Sequence, residues 1–376
     1  MNKINVKRAS VLVVMFLLYS LFAGTGIAEG NIARLGGADR YETSALVAGN
    51  VYDYANTVII ARGDPAGHFA DGLASSVLAG ALDAPVLLTR TGTLPDSIKR
   101  AITNLGASRA IVLGGQEAIS GSVVTQLENL GLTVNRIGGK DRYETAAKIA
   151  EEAKKKGSIA SYAFIVNGVA TADSMVAAPA AFMNGAVILQ VTGDTIPAVT
   201  ENAIKSLGIS QVYIVGGTAV VSSTVRSELS KLATVKGRLG GANRYATSVA
   251  FAEELFYEEA NFVLTCGFDA NLVDSIGACI FGLPVLYVQQ NVIPRVVNNY
   301  LESTVTADSE IKMIGGTAAV SRVVNTQVKE IIAESSGGGG GGGTTESVSA
   351  ISVTPKELTL TVGETGQITA TVTPSN

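Results

Sequence analysis

Three near-copies of one ten-residue string divide the chain: RLGGADRYET at 34–43, RIGGKDRYET at 136–145 and RLGGANRYAT at 238–247. Their leading arginines, Arg34, Arg136 and Arg238, stand 102 residues apart both times. A period near 100 residues is far longer than a solenoid turn and long enough for each unit to be a domain in its own right. Other strings keep the same register. FADGLASSVLAG, TADSMVAAPAAF and LVDSIGACIFG align Asp71, Asp173 and Asp274, and AIVLGGQEAIS, VYIVGGTAVVS and IKMIGGTAAVS follow further on.

Within each unit, short apolar runs such as TVIIA, PVLLT and AIVLGG lack alternating polarity and read as buried strands. Between them lie helical stretches such as ADGLASSVLAGAL and ISGSVVTQLENL. Alternating strand and helix predicts an α/β fold, a parallel sheet flanked by helices. Right-handed crossovers then bring every strand's carboxyl end to one edge.

The ends of the chain differ from this body. Residues 1–28 carry a basic start, an apolar run from Val11 to Ala23 and small residues at Gly26 and Ala28, the pattern of a cleaved secretory signal. The mature protein is expected to be exported and soluble, with no membrane partner after cleavage. Losing Lys3, Lys7 and Arg8 takes the net charge from −4 to −7, which argues against a nucleic-acid partner. Any anion site must then be a local arrangement. Cys266 and Cys279 lack counterparts in the other repeats and read as buried thiols rather than a disulfide framework, with a single bridge between them as the alternative. The expected division is repeats at 32–133, 134–235 and 236–334, a Gly-rich linker at 335–347, and alternating apolar and polar residues at 348–376 that read as strands of a truncated β-sandwich.

The motif itself places a glycine pair between a strand and a helix start. Asp141 is a good N-cap with Glu144 three residues on, the helix running from Arg142 to about Lys156; Asp39 and Glu42 repeat the box, whereas Asn243 and Ala246 keep half of it. Free amides of Gly36, Gly37, Gly138, Gly139, Gly240 and Gly241, aided by the helix dipole, form a candidate anion nest. Arg40, Arg142 and Arg244 open the helices and Arg34, Arg136 and Arg238 end the strands, so two guanidinium groups per unit could grip a phosphate or carboxylate. The structural alternative stays open: glycines that only turn, arginines that pair with acids or bridge repeats, and Tyr41, Tyr143 and Tyr245 as core contacts. Asp71, Asp173 and Asp274 read first as helix caps, and otherwise as groups orienting an arginine or a sugar hydroxyl. Gly114–Gly115, Gly216–Gly217 and Gly315–Gly316, with Ser120, Ser222 and Ser321 as caps, read as architecture.

Catalysis finds little material. The single histidine, His68, has no counterpart in the other repeats. No zinc-ligand spacing is present, and the repeated glycine motif is neither GxGxxG nor a P-loop, so neither a catalytic residue, a cofactor nor a metal is expected. Three copies of one edge suit a multivalent binder.

Taken together, R-[IL]-G-G-x-[DN]-R-Y-x-T in threes, the ADG/ADS/VDS string and the VLGG/IVGG/MIGG string resemble the type 2 cell-wall-binding repeat of Gram-positive surface proteins, over about residues 32–334. The final stretch resembles the start of a bacterial immunoglobulin-like group 2 domain. The resemblance implies three Rossmann-like or Toprim-like modules in pseudo-threefold arrangement. It implies non-covalent anchoring at the cell surface through an anionic, teichoic-acid-like wall polymer. By the same resemblance Arg34, Arg40, Tyr41 and Asp71, then Arg136, Arg142, Tyr143 and Asp173, then Arg238, Arg244, Tyr245 and Asp274 become candidate polymer contacts. A wall hydrolase acting through carboxylates, or an adhesin displaying the immunoglobulin-like part, are the alternatives.

Overall fold

The computed structural model describes residues 28–336 apart from 30, 65–69 and 158, together with strands 348–354 and 369–374. Residues 1–27 of the expected signal, His68 and most of the Gly-rich stretch lie outside the described residues.

The apolar runs form strands, as their composition requires. In the first sheet β3 (Thr57–Arg62) lies between β4 (Val86–Thr89) and β5 (Arg109–Leu113), and β6 (Thr133–Ile137) extends it, in the order β4-β3-β5-β6 with every pair parallel. Val58, Ile59, Ile60, Leu87 and Leu88 are wholly buried, because helices cover both faces. The second sheet repeats this with β8 (Val187–Val191), β7 (Tyr162–Asn167), β9 (Gln211–Val215) and β10 (Thr234–Leu239). The third takes β12 (Val285–Val288), β11 (Phe262–Cys266) and β13 (Ile311–Ile314), and its last strand is β2, Ile32–Leu35. A two-residue strand β1, Ala28–Glu29, folds back antiparallel on β2. The protein is thus a mixed α/β fold with three parallel four-stranded arrays.

The hydrogen-bonded unit is offset from the sequence period. The strand that leads into each RxGG motif completes the sheet of the preceding repeat, and β2 closes the cycle by completing the last. Each motif then opens a helix: α1 (Arg40–Val51), α5 (Arg142–Lys156) and α9 (Arg244–Leu255).

The small-residue strings lie where the repeats meet. The 3-10 turn Ala70–Ala74 leads into α2 (Ser75–Leu82); α6 spans Thr171–Asn184; the third repeat has two 3-10 turns, Leu272–Ser275 and Gly277–Phe281. These elements pack on one another. A Cβ on Gly80 of α2 would lie 2.3 Å from the Phe182 carbonyl oxygen, so only glycine permits this approach. One continuous apolar core, from Leu35 to Ile314, draws on all three repeats. The repeats thus share sheets and much of their core, while a second apolar cluster belongs to the third repeat together with Ile32.

The helix α11 (Arg322–Ser336) runs two residues into the expected linker. Beyond it, β14 (Val348–Thr354) pairs antiparallel with β15 (Thr369–Pro374). These two strands make a ribbon, and the rest of the expected sandwich lies outside the described residues.

Two glycines in helical or motif positions separate architecture from tolerance. At Gly138, between β6 and α5, a Cβ would lie 2.6 Å from the Gly114 carbonyl carbon, and backbone cannot yield cheaply. Gly49, inside α1, has nothing within 4 Å of that position. Gly138→Ala is expected to lower the unfolding free energy by about 2 kcal/mol or more. Gly49→Ala should raise it by about 0.5–1 kcal/mol. Denaturant melts of the two variants check both signs.

Candidate functional site

The carboxyl edge of each sheet is built by residues of two repeats. Asp39 accepts from the amides of Tyr41 and Glu42 at 3.0 and 2.9 Å, Asp141 from Glu144 at 2.8 Å, and Asn243 from Tyr245 and Ala246 at 3.1 and 3.0 Å. Glu42 and Glu144 reach back one residue further than a standard capping box, accepting from Ala38 and Lys140 at 2.7 and 2.8 Å. Ala246 cannot, so the third box is half-made, as the sequence implies.

The last residue of the motif supplies a lock that sequence reasoning missed. The hydroxyls of Thr43, Thr145 and Thr247 accept the amides of Gly37, Gly139 and Gly241 at 3.0, 3.1 and 3.2 Å. Those amides are spent inside the fold, and the nest expected of these second glycines is corrected accordingly. The first glycines, Gly36, Gly138 and Gly240, press against the backbone of Gly315, Gly114 and Gly216. The invariant threonine was the available signal.

The strand-end arginines also turn inward. Arg136 donates from Nη1 to the Gly114 and Gly115 carbonyls at 2.8 and 3.1 Å and from Nη2 to Ile119 at 2.7 Å. Arg34 donates from Nη1 to Val320 at 2.7 Å and Gly315 at 3.1 Å, and Arg238 from Nη1 to Gly216 at 2.8 Å. Desolvation lowers the pKa of all three. Each side chain folds over the Gly-Gly loop of the neighbouring strand, whose carbonyls need donors. The expected anion grip by Arg34, Arg136 and Arg238 is therefore replaced by loop fastening.

Arg40, Arg142 and Arg244 donate to the carbonyls of Gly63, Gly168 and Gly267 at 2.6, 2.5 and 2.5 Å, just past β3, β7 and β11. A Cβ on those glycines would meet the rings of Tyr41, Tyr143 and Tyr245 at 2.9–3.1 Å. The Arg-Tyr pair thus clamps one glycine between a hydrogen bond and a ring. Tyr41 is buried, and Arg90 stacks over its ring at 5.1 Å. Arg40 and Arg244 also hold the 269–270 segment, through the Ala270 carbonyl at 3.3 Å and the Asp269 carboxylate at 2.5 Å.

Asp71, Asp173 and Asp274 are not helix caps. They sit inside the first turn of their elements, and their carboxylates face the next repeat. Burial raises the pKa of Asp71, opposed by Thr145 and Arg142 of the second repeat. Burial raises that of Asp173, opposed by Thr247 and Arg244 of the third. Asp274 is pushed up to about 6 by burial, with Arg40 opposing and Asp39 reinforcing the shift. The grouping of each aspartate with its own repeat's arginine is therefore corrected: each faces the arginine of the next repeat, and the last faces the first. Positive φ at Gly114 (94°) shapes the loop above, where a Cβ would strike Asp71 Oδ2 at 2.4 Å. Of the serines, Ser222 and Ser321 accept helix amides from Val225 and Val323 at 3.4 and 3.2 Å, while the buried Ser120 hydroxyl makes no hydrogen bond.

At this edge of the first repeat a groove of about 380 Å³ opens between the start of α1 and the start of α3 (Asp96–Asn104), flanked by Asp39, Glu42, Arg90, Asp96, Lys99 and Arg100. It is polar and charged, suited to a hydroxyl-rich or ionic ligand. Sequence reasoning passed over Arg90, Lys99 and Arg100 because they do not repeat. Among the described residues no cluster of three His, Cys, Asp or Glu side chains has metal-binding geometry, and Cys266 and Cys279 are buried free thiols.

Asp274 gives a test of the seam. Its folded pKa lies above that of an unfolded aspartate, so the native state holds the extra proton between about pH 4 and pH 6 and gains stability as pH falls through that window. Relative to Asp274→Asn, the wild type should gain of order 2 kcal/mol on going from pH 7.5 to pH 4.5. Thermal melts of both proteins at the two pH values check this.

Comparison with known proteins accords with this geometry. Residues 34–124, 136–226 and 238–325 each match the family described as Cell wall binding domain 2 (CWB2). Over 258 residues the chain is 32% identical to the N-acetylmuramoyl-L-alanine amidase LytC of Bacillus subtilis (strain 168), covering 69% of this chain and 50% of that protein. The Amidase enhancer of the same organism is 30% identical over 299 residues, 79% of this chain and 40% of that one. The chain thus spans about half the length, or less, of these curated relatives. Among solved structures, Cwp6 from Clostridium difficile superposes with a TM-score of 0.72 at 26% identity, covering 83% of this chain and 50% of that one. Cwp8 from the same organism shares the fold at a TM-score of 0.70. With three tandem matches spanning most of its length, the chain belongs to the cell wall binding domain 2 family.

Proposed function

We propose that this chain holds an exported protein non-covalently on a Gram-positive cell wall by binding an anionic secondary wall polymer. The observation that carries the reading is the closed cycle of sheets, each finished by the strand that leads into the next motif and the last by Ile32–Leu35, which sets three like loop edges in one unit. A polymer with repeating sugars can touch several edges at once, and linked contacts raise retention without a strong individual site. The motif arginines, tyrosines and aspartates, from Arg34 to Asp274, serve in this reading chiefly by shaping those edges. The signal segment would direct export, and the C-terminal ribbon would begin an immunoglobulin-like spacer.

The relation to an amidase and an amidase enhancer keeps a second reading in view, a wall hydrolase. Turbidity of a wall suspension separates the two, since an anchor leaves it unchanged. Attraction to an anionic polymer weakens with salt. The protein should therefore co-sediment with wall fragments at low ionic strength, be released at about 1 M salt, and ignore walls stripped of anionic polymer. Equal retention on stripped and intact walls would overturn the reading.

A further inference from the structure

The three edges are alike in backbone and unlike in charge. In the first repeat, Arg90 stacks on the Tyr41 ring and reaches to 3.9 Å from Asp39, leaving about half of its side chain exposed. Lys99 and Arg100 stand on the first turns of α3, and Lys99 pairs with Asp96 at 2.9 Å. The carboxylates of Asp39 and Glu42, on the opposite wall, are committed to backbone amides at the start of α1. The cap position of α3 is Pro95, which offers no side-chain acceptor to the helix's first amides. The groove thus brings the start of α3 and three cationic side chains together with three carboxylates, of which Asp39 and Glu42 are held by backbone amides at the start of α1 and Asp96 by Lys99.

The other repeats do not reproduce this. Counting from the shared proline, Lys99 and Arg100 correspond to Glu201 and Asn202 in the second repeat and to Asn298 and Asn299 in the third. The residue following the strand, Arg90, corresponds to Thr192 and Gln289. Glu201 brings a carboxylate where the first repeat has an ammonium, and it is paired with Lys205. The third repeat has the single cation Arg295 beside these positions.

We infer that the groove of the first repeat is the seat for an anionic substituent of the wall glycan, a phosphate or a carboxylate, while the second and third repeats meet the chain through contacts that do not depend on its charge. Arg90 is pre-positioned: the Tyr41 ring fixes its plane, so its edge faces the groove with little ordering cost. Arg100 closes the far side. This inference rests on the wall-binding reading and adds which repeat selects charge.

The test uses the full chain, with Arg100→Asn and the double variant Arg90→Gln, Arg100→Asn. Both substitutions import the third repeat's residues at exposed positions, and Arg100→Asn leaves the Tyr41 stack intact should the double variant melt early. Glycerol 3-phosphate and glucuronate, added separately, should shift amide signals of residues 38–42 and 95–100; the one that does so names phosphate or carboxylate. The double variant should lose that response, bind wall fragments at least tenfold more weakly, and show a shallower salt dependence. Arg100→Asn should move the same way by severalfold, and Gln289→Ala should change retention by less than twofold. If wild type and double variant hold walls equally with the same salt dependence, or if both anions perturb all three repeats alike, the inference falls and the wall-binding reading stands. If the wild type is not retained on walls, both fall.

Discussion

Parallel pairing between strands of different repeats is the constraint on which the unit depends. A parallel strand cannot be supplied by a hairpin; it must arrive by a crossover, and here the crossover carries the chain into the next repeat. Each sheet is therefore finished by its successor. The third has no successor, and Ile32–Leu35 fills that place beside Ile311–Ile314, almost three hundred residues away in sequence. Arg34 adds its guanidinium to the Gly315 and Val320 carbonyls at the same junction. Without that strand the β13 edge would be open and the first and last repeats would meet through helices alone. A contact of such sequence separation closes the longest loop in the unit and carries the largest closure entropy.

The acid–arginine seams complement this backbone closure. A buried carboxylate is costly, and the pKa of each of the three aspartates is raised by burial despite a facing guanidinium. The facing guanidinium offsets part of that cost, so any other register between repeats, which would leave the carboxylate buried with no cation near it, is penalised. Asp71 and Asp173 are supported by Thr145 and Thr247, whereas Asp274 has only Arg40 to offset its burial, and neighbouring carboxylates, Asp141 and Asp39, push the pKa of Asp71 and Asp274 further up.

The strands, the helix from Arg142 to Lys156 and the parallel character were legible in the sequence because each depends on local pattern: apolar runs, a cap, a period. What was not legible depends on which repeat a residue meets. The motif reads as strand, glycines and helix of one unit, yet Arg136 serves the loop of the unit before it and Asp71 faces the unit after it. Near-identical spacing hides this, since Asp71 stands in the same relation to Arg40 as Asp173 does to Arg142. Only the sheet order breaks the tie. The threonine ending the motif was visible in every copy, but its partner, an amide six residues earlier, requires the turn to be folded.

Repetition and function then separate in a way that runs against first intuition. A residue present three times is a natural candidate for ligand contact, yet nearly every repeated polar group here is committed to a carbonyl, an amide or a neighbouring acid within the protein. Those commitments explain the repetition. Each junction must be built the same way for the cycle to close, so the groups that build it cannot vary independently. Side chains that do not repeat, such as Arg90, Lys99 and Arg100, line the groove instead, with about half of Arg90 and a third of Lys99 in solvent. A scaffold fixed by shared residues leaves exposed, unshared ones free to differ, and differences among three otherwise equal edges are how a repeated fold can select one face of an irregular glycan.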